Sequence, residues 1–249
     1  MKSFKEFINE SIKIDKDKLV VDYKTNDKLS QTTKLGKGNF NPYVKKTKFL
    51  YNIPVYSVYP FSGDDYNEIY KAIKRKNRIS IDDEDYTSFL NRTAQFICYK
   101  ILDKNPVDLI LTPQSSSFFV DDLLSYISKK RPNIKYVSTA FKKNKINDVK
   151  LDFKNVDVKD ETKSSIEKTF NKLKVSSDYL EAKLIPKKFL QFFSNLYSID
   201  NTVSSKIKNK NIAILDDSIT SAVTMKNFIE TVNQYEPKNI IGITVFKSK

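Results

Sequence analysis

Apolar runs and amphipathic segments alternate through the middle of this chain. Val107–Thr112 and Asn133–Ala140 are apolar runs of strand length, and Phe118–Lys129 between them carries an apolar face at helical spacing. A polar loop, Pro113–Ser117, follows the first run. This order of strand, polar loop, helix and strand predicts a parallel βαβ crossover.

The same pattern continues on both sides of this unit. Asp85–Leu102 has apolar residues at helical spacing, and Tyr51–Tyr59 alternates like a strand whose Pro54 favours an edge position. Near the end of the chain, the amphipathic segment Met225–Val232 lies between two apolar runs, of which the second is Ile240–Phe246. We therefore predict the α/β class, with a parallel twisted sheet flanked by helices.

Two parts of the chain interrupt this rhythm. Residues 1–48 are predicted to form an N-terminal arm, so that the main domain spans residues 49–249. Within that domain, residues 141–210 are predicted to be a variable insert. Its aromatic stretch Phe189–Tyr197 is predicted to be a helix, whose rings either pack in a core or stack on bases.

Composition limits the chemistry that is open to the chain. The sequence has no histidine and one cysteine, Cys98, which excludes histidine-based triads, histidine metal ligands and an internal disulfide. No apolar run approaches the roughly 20 residues of a membrane-spanning helix, and the N-terminal segment lacks the apolar core of a secretory signal. We expect a cytoplasmic protein without a membrane partner, in which Cys98 is a buried structural thiol.

The formal net charge is +14, which favours polyanionic partners such as nucleic acid. The basic cluster Lys71–Arg78 is one candidate contact for phosphates. Alternatively, the lysines only decorate solvated faces.

The segment Asn211–Thr224, with the sequence NIAILDDSITSAVT, carries the clearest chemistry. It predicts a buried strand that ends in Asp216 and Asp217, a loop of hydroxyl and small residues, and the start of a helix. Aspartates accept hydrogen bonds from ribose hydroxyls, and a helix N-terminus receives phosphate. The segment therefore predicts a site for a phosphorylated sugar.

Residues 212–224 resemble the phosphoribosyl pyrophosphate (PRPP) signature of type I phosphoribosyltransferases: four apolar residues, two acidic ones and a loop that ends in threonine. The tetrapeptide Asp216–Ile219 is especially similar to glutamine–PRPP amidotransferases and ComF-type proteins. Val107–Ser117 resembles the first core strand and the pyrophosphate loop of that family. The resemblance covers about residues 50–140 and 211–249, and it implies that the insert is the hood that selects the acceptor.

The resemblance implies a role for each matching residue. Asp216 and Asp217 would hold the ribose hydroxyls, and Gln114, Ser115 and Ser116 would receive pyrophosphate. Mg²⁺ would bridge pyrophosphate and ribose oxygens, mainly through substrate and water. A mobile loop that carries Lys142 or Lys143 would supply a cation to the pyrophosphate; the alternative is that these are surface lysines. The residues that would wrap the 5′-phosphate are Thr220, Ser221, Ala222, Val223 and Thr224.

The activity implied is transfer of the phosphoribosyl group from PRPP to a nitrogenous base or amine, with release of pyrophosphate, and a homodimer is compatible with it. Two features depart from the family pattern. Ala222 stands where the family has glycine, and the pyrophosphate loop has serines in place of its glycine. The alternatives are therefore a catalytically degenerate PRPP- or nucleotide-binding protein, and a nucleic-acid-binding or host-interaction protein that reuses the fold.

The first residues, MKSFKEFINES, resemble the N-termini of T-even-like phage proteins. Ile8-Asn9-Glu10 matches the pattern that prohead proteases cut. The resemblance implies a phage-encoded protein in the host cytoplasm or in the virion.

Overall fold

The computed structural model describes residues 11–15, 18–22, 53–60, 73, 80–114, 117–153, 158–176, 178–180, 185–186, 188–219 and 223–247. In chain order, its strands are β1 (Ser11–Asp15), β2 (Lys18–Asp22), β3 (Val55–Pro60), β4 (Ser80–Ile81), β5 (Leu109–Pro113), β6 (Lys135–Lys143), β7 (Lys150–Leu151), β8 (Phe193–Ser194), β9 (Tyr197–Ile199), β10 (Asn211–Ile219) and β11 (Asn239–Lys247). Its α-helices are α1 (Asp83–Phe96), α2 (Phe119–Lys130), α3 (Asp160–Ser176), α4 (Asn201–Ser204) and α5 (Val223–Asn233). A π-helix, Ile97–Leu102, continues directly from α1.

A six-stranded sheet in the order β3-β11-β10-β5-β6-β9 forms the centre of the molecule. Each pair from β3 to β6 is parallel, and β9 closes one edge antiparallel to β6. The crossover from β5 through α2 to β6 is the predicted βαβ unit. The predicted α/β class, with a mostly parallel sheet flanked by helices, is confirmed, and β3 lies at the other edge, as Pro54 indicates.

Helices cover both faces of this sheet because the central strands are apolar on both sides. In β10, Ala213 and Leu215 join the core cluster that contains the buried residues of α1 and α2. Ile212 and Ile214, which alternate with them, join the cluster that contains the buried residues of α5. We call these the α1/α2 face and the α5 face of the sheet.

Stacked aromatic rings fill the α1/α2 face at the carboxyl end of β11. The Phe246 ring lies 6.1 Å from that of Phe89, nearly parallel to it, and 5.9 Å from those of Phe119 and Tyr59. These contacts hold β11, the helices α1 and α2, and the edge strand β3 together just below the carboxyl ends of the strands.

The described part of residues 141–210 has a core of its own. The buried residues of the aromatic stretch Phe189–Tyr197 pack there with Ile166 and Phe170 of α3. The predicted helix over this stretch is wrong, since it forms a 3₁₀ turn, Leu190–Phe192, followed by β8 and β9. Pairing of β8 with β7 and of β9 with β6 overrides the helical spacing of the apolar residues. The interpretation of these aromatic residues as core is confirmed.

The predicted N-terminal arm contains the antiparallel pair β1–β2, and β4 extends it to a three-stranded sheet. The division of the chain into arm, domain and insert stays a prediction. Of the basic cluster 71–78, only Ile73 lies among the described residues, and it is buried. In the part of the chain that the structure describes, no helix is long and apolar enough to cross a membrane.

Candidate functional site

The two polar loops predicted to bind a ligand leave the sheet side by side. β5 and β10 are neighbouring parallel strands, with Leu109 opposite Ile212 and Leu111 opposite Ile214. Their carboxyl ends therefore meet at one edge of the sheet, where ligands of open α/β sheets bind. Gln114 is exposed at the end of β5. Ser115, Ser116, Thr220, Ser221 and Ala222 lie outside the described residues.

Asp216 lies within β10 rather than after it. The strand continues through both aspartates to Ile219, because pairing with β11 continues at Asp216–Thr244 and at Ser218–Phe246. In the next strand, Ser57 is paired with Thr244, and their hydroxyl oxygens are 2.8 Å apart in a buried contact. Asp216 is thus the half-buried end of a polar row that crosses three strands.

The two aspartates face opposite sides of the sheet. Alternation from Ile214 and Leu215 puts Asp216 on the α5 face and Asp217 on the α1/α2 face. The pattern shifts by one residue before Ile219, which packs with Ile214 on the α5 face. Asp216 Oδ1 accepts a hydrogen bond from the Asp217 backbone N–H at 2.8 Å. Asp217 is buried, and its Oδ1 accepts a hydrogen bond from the Ser218 hydroxyl at 2.9 Å. A ligand above the α5 face can therefore reach Asp216 more directly than Asp217.

The N-terminus of α5 is suited to an anion. Its first turn carries no acidic residue, and both Val223 and Thr224 are partly exposed there. Unpaired backbone N–H groups and the helix dipole make such a terminus electropositive. The first turn of α2, by contrast, carries Asp121 and Asp122, which offset the dipole of that helix. An anionic group that binds at this edge is therefore favoured at the N-terminus of α5 over the N-terminus of α2.

Sequence reasoning missed Thr112, the residue before Pro113 at the end of β5. Its side chain is 1% exposed, and its hydroxyl has no hydrogen-bond partner in the described structure. Alternation along β5 places Thr112 on the α1/α2 face, below the loop that leads to α2. A buried hydroxyl without a partner is costly, so a rearrangement at the end of β5 that gave it a partner would be favourable.

A bulge in β6 lies next to Thr112. Leu111 pairs with Val137 and Pro113 pairs with Phe141, so β6 has two extra residues between these pairs. Thr139 within the bulge has φ 54°, a left-handed conformation that is strained for a β-branched residue. Bulges and strained residues concentrate near functional sites, and this one adjoins the candidate edge.

Lys142 lies in a paired strand rather than in a loop. It is opposite Ser198 in the β6–β9 ladder, and its ammonium donates a hydrogen bond to Asp200 Oδ2 at 2.7 Å. Asp200 in turn caps α4, accepting a hydrogen bond from the Thr202 backbone N–H at 3.0 Å. The Lys142 ammonium, and then the hydrogen bonds from Thr202, lower the pKa of the Asp200 carboxyl.

The insert is anchored directly to α5. The Leu196 backbone N–H donates to Asn227 Oδ1 at 3.4 Å, and the Tyr197 ring lies 4.5 Å from the Phe228 ring. Val223, the first residue of α5, also packs against the core of the insert. The insert therefore lies beside the N-terminus of α5.

Among the described residues, no group of three or more acidic or cysteine side chains could hold a metal ion. The described edge does offer two carboxylates, Asp216 and Asp217, one on each face. Carboxylates on opposite faces cannot bind one ion together, so a hard cation such as Mg²⁺ fits this edge only if most of its ligands are substrate and water oxygens.

No protein-family profile matches the chain, and no curated protein matches it. Among solved structures, a Trypanosoma cruzi hypoxanthine phosphoribosyltransferase matches with 12% identity and a TM-score of 0.34, over 64% of this chain and 63% of that chain. An HPRT with asparagine in place of an invariant aspartic acid matches with 12% identity and a TM-score of 0.34, over 64% of each chain. An adenine phosphoribosyltransferase from Thermoanaerobacter pseudethanolicus matches with 14% identity and a TM-score of 0.31, over 66% of this chain and 82% of that chain. The chain thus spans less than two thirds of the length of the first two proteins.

Proposed function

We propose that this protein binds PRPP, or a closely related phosphosugar, at the carboxyl edge of β5 and β10. The observation that supports the proposal most is the meeting of three features there: Asp216, the N-terminus of α5 without acidic residues, and the loop that follows Thr112. A ribose with phosphates at opposite ends has complementary groups for all three.

Each contact has a distinct physical task. The 5′-phosphate binds at the N-terminus of α5, through backbone N–H groups and the hydroxyls of Thr220, Ser221 and Thr224, while Ala222 and Val223 contribute backbone N–H groups. The ribose hydroxyls donate to the Asp216 carboxylate on the α5 face. Asp217, on the other face, accepts a hydrogen bond from the Ser218 hydroxyl and so positions the end of the strand. Gln114, Ser115 and Ser116 receive the pyrophosphate, and the Thr112 hydroxyl gains a partner.

The reaction proposed is transfer of the phosphoribosyl group to a nitrogenous base or amine, with pyrophosphate as the leaving group. The C–O bond from C1 of the ribose to pyrophosphate breaks, a C–N bond forms, and the acceptor nitrogen loses its proton to the departing pyrophosphate or to water. Mg²⁺, when bound, would neutralise charge on the pyrophosphate oxygens and would be held mainly by substrate and water oxygens. The chain then positions the two reactants and excludes water, which needs no imidazole.

The test measures pyrophosphate release from PRPP and Mg²⁺ with a panel of nucleobases and amines. Turnover with at least one acceptor is expected, together with a large loss of turnover in Asp216→Asn. Asp148→Asn is a matched control, because Asp148 is an exposed carboxylate on the 3₁₀ turn of the insert. Absence of turnover with every acceptor, together with absence of PRPP binding, would overturn the proposal.

Ala222 favours a second candidate, a PRPP or nucleotide sensor without catalysis. Alanine in the left-handed conformation that glycine adopts costs on the order of 1 kcal/mol or more, which would weaken closure of the loop on phosphate. This candidate predicts thermal stabilisation by PRPP without product. Ala222→Gly then tightens PRPP binding if the loop needs that conformation.

A further inference from the structure

Positive charge is concentrated at the end of the sheet opposite the candidate site. Four segments lie at the amino ends of the strands: residues 97–108, 129–135, 205–211 and 234–239. Together they carry ten basic and three acidic side chains, a net charge of +7, which is half of the +14 of the whole chain. We call this surface the amino edge.

The three acidic side chains of the amino edge are already engaged. Asp103 accepts a hydrogen bond from Arg131 at 2.6 Å, and Glu236 lies 2.8 Å from the Lys208 ammonium. Asp108 accepts hydrogen bonds from the backbone N–H and the side-chain amide of Asn211, at 2.8 and 3.0 Å, and it also lies near Lys210 and Lys238, whose charges help to lower the pKa of its carboxyl. The remaining cations are therefore in excess at this surface.

Three of these cations lie on the segments that precede β10 and β11. Lys206, Lys210 and Lys238 are exposed, and none forms a salt bridge in the part of the chain that the structure describes. The backbone N–H of Lys238 donates to the Lys210 carbonyl at 2.9 Å, which fixes the two segments against each other. The charges are thus held on an ordered surface.

The segments of the amino edge form a line because the strands that follow them are consecutive in the sheet, in the order β11-β10-β5-β6. Direct bonds continue along this line: the Asp108 N–H donates to the Asn211 carbonyl, and the Lys135 N–H donates to the Asp108 carbonyl. Four neighbouring strands span roughly 14 Å at about 4.8 Å per spacing. At about 3.4 Å per phosphate along one strand of a duplex, this length matches about four phosphates.

Two tyrosines add exposed aromatic surface to this edge. Tyr99 is 46% exposed beneath the Arg131 guanidinium, which lies 5.0 Å from the ring centroid, and Tyr136 is 50% exposed. Basic groups interleaved with half-exposed rings are typical of surfaces that contact nucleic acid, where the rings can stack on bases. An acidic polypeptide offers no bases on which such rings could stack, so the rings favour nucleic acid over that partner.

From the row of cations and the tyrosines we propose that the amino edge binds the phosphate backbone of nucleic acid, without base-specific contacts. The surface is separate from the carboxyl edge, so this binding does not depend on the proposed phosphoribosyl transfer. It also involves neither the cluster 71–78 nor the buried aromatic residues of the insert.

The test uses the full chain and labelled oligonucleotides, single-stranded and duplex, in fluorescence anisotropy over a range of salt concentrations. Wild-type affinity is expected to fall linearly on a log–log plot against salt. The edge variant is Lys206→Gln/Lys210→Gln/Lys238→Gln. For this variant, the slope of the logarithm of the binding constant against the logarithm of the salt concentration is expected to be less steep than that of wild type by about 2 to 3. Its affinity at low salt is expected to be roughly tenfold or more lower than that of wild type.

A matched control variant is Lys159→Gln/Lys168→Gln/Lys172→Gln, which removes the same charge from exposed positions before and on α3. It is expected to retain most of the affinity and the wild-type slope. An equal loss in both variants would mean attraction by net charge alone and would overturn the assignment to the amino edge. Absence of binding at low salt, or stronger binding of polyglutamate or of anionic lipid vesicles than of the oligonucleotides, would also overturn it. Circular dichroism of both variants identifies any loss that is due to misfolding.

Discussion

The Lys142 ammonium donates a hydrogen bond to Asp200 Oδ2 at 2.7 Å, across the β6–β9 ladder. Asp200 uses its other carboxylate oxygen to accept hydrogen bonds from the backbone N–H and the hydroxyl of Thr202, at the start of α4. Lys142, which the sequence predicts as a cation for the pyrophosphate, is therefore paired in the structure with the residue that caps α4. The side chain of Lys142 is 63% exposed, so solvent and salt weaken the pair.

Replacing Asp200 separates its two contacts. Asp200→Asn keeps an oxygen for capping and loses the ion pair, whereas Asp200→Ala loses both, so the alanine variant is expected to be the less stable. The pKa of Asp200 is lowered in the folded state, first of all by Lys142. Its stabilising effect is therefore present above the ordinary aspartate pKa and disappears as the pH falls through the folded value. Urea denaturation of wild type and Asp200→Asn should show a difference at about pH 7 that vanishes in acid; a difference independent of pH would contradict the role of the ion pair.

Gly242 of β11 is expected to resist replacement by alanine. A Cβ atom there would lie 3.0 Å from Val55 Cγ2 and 3.2 Å from Met225 Sδ. Methionine can move, but valine on the paired edge strand cannot do so without backbone adjustment, so Gly242→Ala should cost about 1–3 kcal/mol. In a double-mutant cycle measured by urea denaturation, Val55→Ala should recover part of that loss. Strict additivity of the two changes would contradict this contact as the cause.

Thr139 should be improved by a residue that tolerates positive φ. Its φ of 54° is unfavourable for a β-branched side chain, whereas asparagine adopts this region more readily. Thr139→Asn is expected to raise the free energy of unfolding by up to about 1 kcal/mol. Thr139→Val, which keeps the branched side chain, is the control and should give no gain. A loss of stability in Thr139→Asn would instead indicate a hydroxyl contact in the folded state.

Cys98 should be unreactive in the native protein. Burial raises the pKa of the Cys98 thiol to about 11, against the opposing effects of Arg131 and Lys130. At about pH 8 thiol reagents are therefore expected to modify it only as fast as the protein unfolds. The unfolded thiol ionises before the folded one, so its linkage lowers stability between about pH 9 and pH 11. Labelling at the rate of a free thiol without denaturant would contradict the burial of Cys98.

The buried hydroxyl pair of Ser57 and Thr244 should behave as a unit. Thr244→Val leaves the Ser57 hydroxyl without its partner and is expected to cost about 1–3 kcal/mol. The double variant Ser57→Ala/Thr244→Val removes both polar groups and should lose less than the sum of the single changes. Thermal denaturation of the four proteins gives this coupling. Because Thr244 neighbours Asp216, PRPP binding by Thr244→Val also tests whether the polar row supports the site.

Local sequence patterns predict the core strands and helices well. Val107–Thr112 corresponds to β5 at Leu109–Pro113, and Phe118–Lys129 corresponds to α2 at Phe119–Lys130. Both carry their periodicity within one short segment. The stretch Phe189–Tyr197 shows where such reasoning fails, because pairing with distant β7 and β6 decides its backbone conformation.

The acidic pair shows the same limit within the site. The sequence predicts that the strand ends in Asp216 and Asp217, but it cannot say how far pairing with β11 continues. Pairing at Asp216–Thr244 extends the strand into the acidic pair, and alternation from Leu215 puts the two carboxylates on opposite faces. The unpartnered hydroxyl of Thr112 has no sequence signal either, since its burial depends on the helices packed over β5.

The sequence by itself determines the α/β class and the placement of two polar loops at one edge, because both follow from local periodicity and from the parallel order of the strands. The tertiary structure alone decides the pairing of Lys142 with Asp200, the faces of Asp216 and Asp217, and the alignment of basic segments along the amino edge. Each of these relationships depends on strand pairing in the sheet, which brings together segments that are distant in the sequence. No local pattern encodes them.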